Sequence, residues 1–131
     1  MNNISAITYL VRDYDEAIAW FVSALGFKLL EDTDLGDGKR WVLVSPGLGG
    51  GVNLLLAKAV GQHQIDSIGN AAGGRVGFFL NTTNFIQDHA HMNRAGVEFK
   101  EPPRHEPYGT VAVFADLYGN LWDLIEPTKK P

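Results

Sequence analysis

The sequence predicts an α+β protein made of two βαβββ modules, which form a curved mixed sheet with an open cleft and one helix per module on the convex face. Two observations predict this fold. The pattern of strand, helix, glycine and strand recurs when the chain is shifted on itself by about 70 residues. Each copy also contains only one amphipathic helix, which can cover only one face of its sheet. The other face is expected to curve and form an open cleft.

The first module is expected over about residues 1–57. A strand is predicted at 4–11, and Asp13 is suited to cap the following helix because Glu16 stands three residues later, as in a capping box. The helix has an apolar face with a period near 3.6 residues, and Gly26 is suited to end it. The three strands that complete the module are predicted at 27–31, 39–44 and 51–57.

The second module is expected over about residues 75–127. Its first strand is predicted at 75–81, its helix is capped by Thr82 or Thr83, and Gly96 ends that helix. The expected inner face of the helix consists of Phe85, Ile86, His89 and Met92. The remaining strands are predicted at 97–100, 110–115 and 121–126.

The segment between the modules, about residues 58–74, carries glycine, glutamine and asparagine with little apolar periodicity. This composition favours a linker or, alternatively, a flap over the cleft. The two modules and the linker together are predicted to form one domain over residues 1–131.

Composition excludes several classes of function. The net charge is -4 and the basic residues are scattered, which argues against a nucleic-acid partner. No apolar run approaches the roughly 20 residues of a membrane span, and no secretory signal pattern opens the chain, so a cytoplasmic protein without a membrane partner is expected. The absence of cysteine excludes disulfides and thiolate ligands.

Two segments resemble a known family. After the apolar strand 110–115 comes the turn Tyr118-Gly119-Asn120, in which Gly119 is suited to positive φ, followed by an alternating arm. Near the N-terminus, a strand and helix lead into Leu25-Gly26-Phe27. These segments, together with 103–109, resemble the vicinal-oxygen-chelate superfamily, which includes glyoxalase I, bleomycin-resistance proteins and extradiol dioxygenases. The resemblance covers most of the chain and implies the fold above, a small-molecule ligand and a homodimer.

In metal-dependent members of that superfamily, four inward positions supply the ligands. The resemblance places them here at Ala6, Leu55, Arg75 and Asp123. Only Asp123, and Asn53 if the register slips, could bind a divalent cation through oxygen, whereas a catalytic site needs about three protein ligands. We therefore expect no metal and no other cofactor, with a divalent metal as the alternative.

Strand alternation and loop position suggest which side chains meet a ligand. The expected ligand-binding residues are Thr8, Trp41, Asn53, Arg75, Gly77, Phe79, Tyr108 and Asp123. Among them, Trp41, Phe79 and Tyr108 would form aromatic walls, and Gly77 would leave space for the ligand. Arg75 and Asp123 would meet either as a salt bridge in place of the metal or as a pair that receives an anionic ligand group.

Catalytic roles are less constrained. His63 falls in the linker and His105 in the proline-rich loop, whereas His89 and His91 point to different faces of a helix. All four histidines suit surface or capping positions, but His105 or His63 could serve as an acid or base at the mouth of the cleft. His105 joins Arg75 and Asp123 as a catalytic candidate.

The sequence thus predicts a protein that binds a small organic molecule, of either neutral or anionic character, in the concave cleft without the metal of its relatives. Both a metal-independent enzyme and a sequestering protein of the bleomycin-resistance kind fit this prediction. The alternative is a metal-dependent glyoxalase-like lyase or dioxygenase.

Overall fold

A computed structural model describes residues 1–47 and 51–129 of the chain. These residues form nine strands and three helices, distributed over two compact units, Met1–Gly69 (unit 1) and Asn70–Pro131 (unit 2). Each unit contains one mixed sheet, and the predicted α+β class is confirmed. Within the described ranges, the helices are too short or too polar to cross a membrane.

Unit 1 has the predicted βαβββ order followed by a short extra helix. Its elements are β1 (Ala6–Val11), α1 (Tyr14–Leu25), β2 (Lys28–Gly36), β3 (Lys39–Ser45), β4 (Asn53–Lys58) and α2 (Gly61–Ser67). The strands lie in the order β1-β4-β3-β2, with β1 and β4 parallel and the other neighbours antiparallel. Helix α1 covers one face of this sheet, where the buried rings of Tyr9 and Phe21 meet edge to face at 5.2 Å.

The predicted ends of α1 are confirmed. The Asp13 side chain accepts a 2.8 Å hydrogen bond from the backbone N–H of Glu16, which satisfies a donor that the first turn of the helix leaves free. Gly26 ends the helix at φ 70, a left-handed conformation that glycine adopts without steric cost.

Two parts of unit 1 differ from the prediction. Strand β2 extends to Gly36 rather than residue 31, and all of its residues are exposed, so its second half lacks the apolar alternation by which a strand is recognised. The segment expected as a linker contains α2, which buries none of its residues and therefore shows no apolar period.

Unit 2 repeats the pattern with one additional short strand. Its elements are β5 (Val76–Asn81), α3 (Phe85–Arg94), β6 (Glu98–Phe99), β7 (Arg104–Glu106), β8 (Gly109–Ala115) and β9 (Leu121–Pro127). The order is β5-β9-β8-β6, with β7 also pairing with β8. Strand β7 was expected as a loop because prolines flank it on both sides.

Helix α3 begins later than predicted, by one residue if Thr83 is the expected cap and by two if it is Thr82. Its N-cap is Asn84, whose side chain accepts from the backbone N–H of Gln87. Phe85 and Met92 are buried as expected, but Ile86 is 83% exposed, so its placement on the inner face is wrong. His89 is half-buried and its ring lies 4.2 Å from that of Phe99, which gives it a packing role in this unit.

The turn before β9 is organised by the buried carboxylate of Asp116. Its Oδ1 accepts from the backbone N–H groups of Tyr118 and Asn120, and its Oδ2 accepts a 2.8 Å hydrogen bond from the Trp122 indole. Gly119 has φ 91, which confirms the predicted positive value.

Candidate functional site

The sheet of unit 1 divides into two arms. Strands β3 and β4 pair at three positions, of which Val42 with Leu56 is the last. Beyond that pair, β3 continues along β2 as far as Lys39, whereas β4 continues along β1 as far as Lys58. The two ladders therefore diverge, and backbone pairing no longer closes the space between them.

A pocket of about 760 Å³ opens where the arms diverge, and we call it the fork pocket. It is lined by residues 35–41 of the hairpin arm, by residues 55–60 of the other arm, and by Tyr14 and Gln64. Its volume falls in the range of about 300 to 1,000 Å³ that is typical of small-molecule sites.

The hairpin arm ends in a tight turn that fixes its position. Asp37 and Gly38 both have positive φ, 56 and 79, as in the two-residue turns that suit the twist of a hairpin. Just before the turn, the Asp34 side chain accepts a 2.8 Å hydrogen bond from the backbone N–H of Gly36. The other arm is continued past β4 by a 2.9 Å hydrogen bond from the Ala59 N–H to the carbonyl of Val11.

Apolar side chains form much of the pocket wall. Trp41, expected from the sequence to supply an aromatic wall, lines the pocket and is 41% exposed. Leu35 and Val60 also line it and are 51% and 76% exposed. Large apolar groups that stay accessible inside a concave site offer surface that a ligand can bury.

Arg40 contributes a positive charge that the protein already neutralises. Its guanidinium forms ion pairs with Asp32 at 2.6 Å and Asp15 at 2.9 Å, and it lies 5.0 Å from the centroid of the Tyr14 ring. The hydrogen bonds that Arg40 donates to Asp32, and next to Asp15, raise the pKa of Arg40 further above its ordinary value. Its structural partners therefore occupy most of its hydrogen-bonding capacity.

The other charged residues of the lining are Lys39, Lys58 and Asp37. Among the residues that the structure describes, none of the three forms an ion pair. Apart from Arg40, the charged groups of the described lining are therefore two lysines and one aspartate, in a chain whose overall charge is negative.

The remaining candidates from unit 1 lie on the sheet but outside the fork pocket. Asn53 pairs with Ala6, and Thr8 pairs with Leu55 on the neighbouring strand. Of these four, only Leu55 lines the pocket. Ala6 and Leu55, two of the positions that supply metal ligands in metal-dependent relatives, offer no donor atom.

In unit 2, the expected meeting of Arg75 and Asp123 is not observed. Arg75 is exposed and lies just before β5 rather than within it. No ion pair joins Arg75 to Asp123 in the described part of the chain. The salt-bridge form of this expectation is therefore not seen among the described residues, and a role of Arg75 and Asp123 in receiving an anionic ligand group stays a prediction.

The arginine that interacts electrostatically with Asp123 is Arg104. It is half-buried on β9, opposite Val113 of β8 and Phe79 of β5. Burial raises the pKa of Asp123, the positive charge of Arg104 opposes that rise, and the negative charge of Glu101 adds to it. Phe79 is 67% exposed beside this carboxylate.

Arg104 is the centre of a charged network that sequence reasoning missed. It forms ion pairs with Glu101 at 2.8 Å and Glu106 at 2.9 Å, and its side chain also hydrogen-bonds to Tyr108. These contacts, that of Glu101 first, raise the pKa of Arg104 above its ordinary value. A signal was available: Arg104 and Glu106 are two residues apart, so a strand places both on one face.

Two further candidates from unit 2 have different surroundings from those expected. A Cβ added at Gly77 would lie 2.8 Å from the Ala72 side chain, so the turn before β5 occupies the space that this glycine was expected to leave for a ligand. His105 lies in β7 rather than in a loop, is exposed, and has its Nδ1 3.2 Å from the Thr110 hydroxyl. Strand alternation places His105 on the opposite face from Arg104.

The donor set does not fit the divalent cation of metal-dependent relatives. Within residues 1–47 and 51–129, no three histidine, aspartate or glutamate side chains are grouped so that they could hold a metal ion. Of the four positions implied by the resemblance, Asp123 alone carries a ligand oxygen. One carboxylate falls short of the about three protein ligands that such a site requires.

Known proteins resemble the chain over most of its length. An uncharacterized protein from Shewanella frigidimarina (strain NCIMB 400) is 53% identical over 98% of this chain and 96% of its own. The crystal structure of UcmS2 superposes with a TM-score of 0.82 at 30% identity, covering 96% of this chain and 98% of the other. That of TnmS3, described as an antibiotic binding protein from Streptomyces sp. CB03234, has a TM-score of 0.76 at 27% identity and covers 98% of both. A family model matches residues 3–124, and the chain therefore belongs to the Glyoxalase/Bleomycin resistance protein/Dioxygenase superfamily.

Proposed function

We propose that this protein binds a small organic molecule non-covalently in the fork pocket. The observation that carries the proposal is the divergence of β3 and β4 after Val42 and Leu56, which leaves about 760 Å³ beside a half-exposed Trp41. An accessible indole in a concave, partly apolar site supplies a large surface for a flat apolar molecule.

The residues that line the fork pocket support a function in binding a ligand without converting it chemically. The described residues of the fork pocket include no histidine, serine or cysteine, the side chains that most often serve as bases or nucleophiles. The similarity to TnmS3, an antibiotic binding protein by its description, supports a binding role as well. We therefore infer a carrier or sequestering function rather than a lyase or oxygenase.

We further propose that the protein works without a divalent metal. Three of the four positions that supply ligands in metal-dependent relatives hold Ala6, Leu55 and Arg75, and the arginine would repel a cation. Elemental analysis of protein purified without an affinity tag tests this proposal. Less than about one tenth of an equivalent of Zn, Ni, Mn or Fe is expected, and a stoichiometric divalent ion would contradict it.

The binding proposal is tested with a neutral bicyclic probe, 2-naphthamide, by isothermal titration calorimetry. A fragment of this size reaches dissociation constants on the order of 0.1 to 1 mM in a pocket that fits it. Trp41→Ala is expected to weaken binding by about tenfold or more because it removes the aromatic wall. Val22→Ala is the matched control, since Val22 is similarly exposed at 43% in the same unit but lies outside the pocket. Equal affinities for the two variants would refute the site.

We also propose that the chain forms a homodimer. Strand β2 is an edge of its sheet, is exposed throughout, and presents Leu29 and Leu30 at 42% and 48% exposure. Exposed edge strands present unpaired backbone groups that a partner can cover. Light scattering coupled to size-exclusion chromatography should give twice the monomer mass of 14.3 kDa, and Leu30→Lys should shift the protein towards the monomer. A wild-type chain that stays monomeric at 100 μM would count against the dimer.

A further inference from the structure

Helix α2 has few interactions that hold it in place. It consists of the seven residues Gly61–Ser67, and none of them is buried. In the part of the chain that the structure describes, the hydrogen bonds of residues 60–68 all end within that same segment. A helix this short is only marginally stable in water unless it packs against the rest of a protein. These features place α2 among the elements that open locally while the rest of the fold stays intact.

Glycines with positive φ stand at both ends of α2. Gly61 begins the helix at φ 80, and Gly69 follows it at φ 79. Beyond them the chain is anchored, because the Ala59 N–H donates to β1 at 2.9 Å and, within unit 2, the Ala71 N–H donates to Asn120 at 3.0 Å. Glycine changes its backbone dihedrals at little steric cost, so residues 60–68 form a hinged segment between anchored ends.

Two residues of this hinged segment line the fork pocket. Val60, the N-cap of α2, and Gln64 belong to the lining on the side of the gap that continues β4. The hairpin arm supplies Leu35 and Trp41 to the same pocket. Val60 is 76% exposed, so most of its apolar surface is available to a molecule that enters.

The formed helix holds both lining residues in position. The Gln64 Oε1 accepts a 2.9 Å hydrogen bond from the backbone N–H of Val60, which joins the two residues across the first turn. Unwinding of α2 breaks this bond and removes both side chains from the pocket wall. A ligand that contacts them therefore binds the helical form of the segment more tightly than the unwound form.

Building on the proposed function, we propose that residues 60–68 form a lid of the fork pocket, which is open in most molecules of the free protein and closes on a bound molecule. Closure forms α2 and brings Val60 against the apolar body of the ligand. Because the ligand favours the closed form, the measured affinity depends on the stability of α2 itself. The segment that the sequence left as either a linker or a flap is thereby assigned as a flap.

His63 allows the stability of α2 to be changed at a position outside the pocket. It is exposed, lies within the helix and is not part of the lining. His63→Ala and His63→Gly both remove the imidazole, so they differ only in helix propensity. The glycine variant should bind 2-naphthamide about three- to fivefold more weakly than the alanine variant in calorimetric titrations, because its lid is open more often.

The matched control for this comparison lies in α1. Ala19 is exposed in the middle of that helix and outside the lining. Ala19→Gly should lower Tm because glycine destabilises a helix interior. Its affinity for 2-naphthamide should stay within about 1.5-fold of the wild type, since α1 keeps its structure whether or not the pocket is filled.

Val60 and Ile65 test the contact between the lid and the ligand. Val60→Ala should weaken binding of 2-naphthamide by roughly three- to tenfold because it removes apolar surface from the pocket wall. Valine and alanine are similarly poor N-cap residues, so this change leaves the stability of α2 nearly the same. Ile65→Ala is the matched control in the same helix, because Ile65 is 49% exposed but outside the lining, and it should not weaken binding.

Amide hydrogen exchange followed by mass spectrometry observes the lid directly. In the free protein, the amides of residues 62–67 should be protected by less than about tenfold relative to an unstructured chain. The amides of α1, which has four buried residues, should be protected far more strongly. Saturating 2-naphthamide should raise the protection of α2 by at least about threefold and leave that of α1 unchanged.

The outcomes separate the lid from the binding function. If 2-naphthamide binds and Trp41→Ala weakens it, but α2 gains no protection or the two His63 variants bind equally, the lid is wrong and the binding function stands. Protection of α2 in the free protein as strong as that of α1 would also overturn the lid. Failure of 2-naphthamide to bind at concentrations up to about 5 mM would overturn both proposals.

Discussion

Val42 and Leu56 are the last partners of the β3–β4 ladder, and both side chains are fully buried. Trp41, which precedes Val42 in β3, is 41% exposed and lines the fork pocket. The boundary between the core of unit 1 and its candidate binding site therefore runs between two adjacent residues. This proximity allows mutations in neighbouring positions to separate stability from binding.

Leu55 and Leu56 provide such a pair. Leu56→Ala should reduce the free energy of unfolding by about 2 to 5 kcal/mol because it leaves a cavity in the core. Leu55→Ala should cost less, since Leu55 is only half-buried, but it should weaken binding of 2-naphthamide because that side chain lines the pocket. Urea denaturation and calorimetry measure the two effects. A larger loss of stability at Leu55 would show that the faces of β4 are reversed.

Gly119 allows a test of the turn that leads into β9. Its φ of 91 is strained for any other residue, although open space surrounds the position of a new Cβ. Gly119→Ala should therefore destabilise by about 1 to 2 kcal/mol through backbone strain alone. Gly47→Ala is the matched control, because Gly47 also has open space and its φ lies outside the left-handed region. The turn assignment fails if thermal denaturation shows the same effect for both.

Asp123 should give the stability of the protein a specific pH dependence. Because burial raises its pKa in the folded state, the folded chain takes up this proton at a higher pH than the unfolded chain does. The contribution of Asp123 to the free energy of unfolding thus falls as pH rises from about 4 through the raised pKa. Asp123→Asn should raise Tm at pH 7, and this gain should disappear near pH 2.5, where the carboxyl is protonated in both states. A lower Tm for the variant at pH 7 would indicate a stabilising partner that the structure does not show.

Arg104 rather than Arg75 is expected to hold the charged network of unit 2. Arg104→Met removes the cation between Glu101 and Glu106, so the two carboxylates repel each other and Tm should fall. Arg75→Met removes an exposed charge with no such partners in the described residues, and its Tm should match that of the wild type. Raising salt to 1 M should reduce the penalty at Arg104 because screening weakens the repulsion. The reverse order of the two Tm values would restore Arg75 as the structural cation.

Local patterns were sufficient to predict most of the fold. The cap at Asp13, the helix end at Gly26 and the turn at Gly119 each follow from short stretches whose turn chemistry is strong. Strand β2 and helix α2 bury none of their residues, so their sequences carry no apolar periodicity. The predicted β2 was therefore too short, and α2 was not predicted.

The site was less accessible to sequence reasoning because it depends on contacts between distant residues. Trp41 and Leu55 could be assigned to a strand face, but the divergence of β3 from β4 depends on where pairing stops, which no single strand pattern encodes. The influence of Arg104 on Asp123 was missed for a related reason. Arg104 comes from a three-residue strand between prolines, whereas the resemblance placed Arg75 at a ligand position in the predicted strand 75–81.

The most direct test of the proposed site follows the indole N–H signals of Trp20, Trp41 and Trp122 in a ¹⁵N-resolved NMR titration with neutral 2-naphthamide. These are the three tryptophans of the chain, and Trp41→Phe assigns the relevant signal. We predict that the Trp41 signal shifts saturably with the dissociation constant found by calorimetry, while that of Trp122, buried and bonded to Asp116, does not move. A saturable response centred on Trp122 and the Asp123 amide, with Trp41 unchanged, would contradict a binding site in the fork pocket and place it in unit 2.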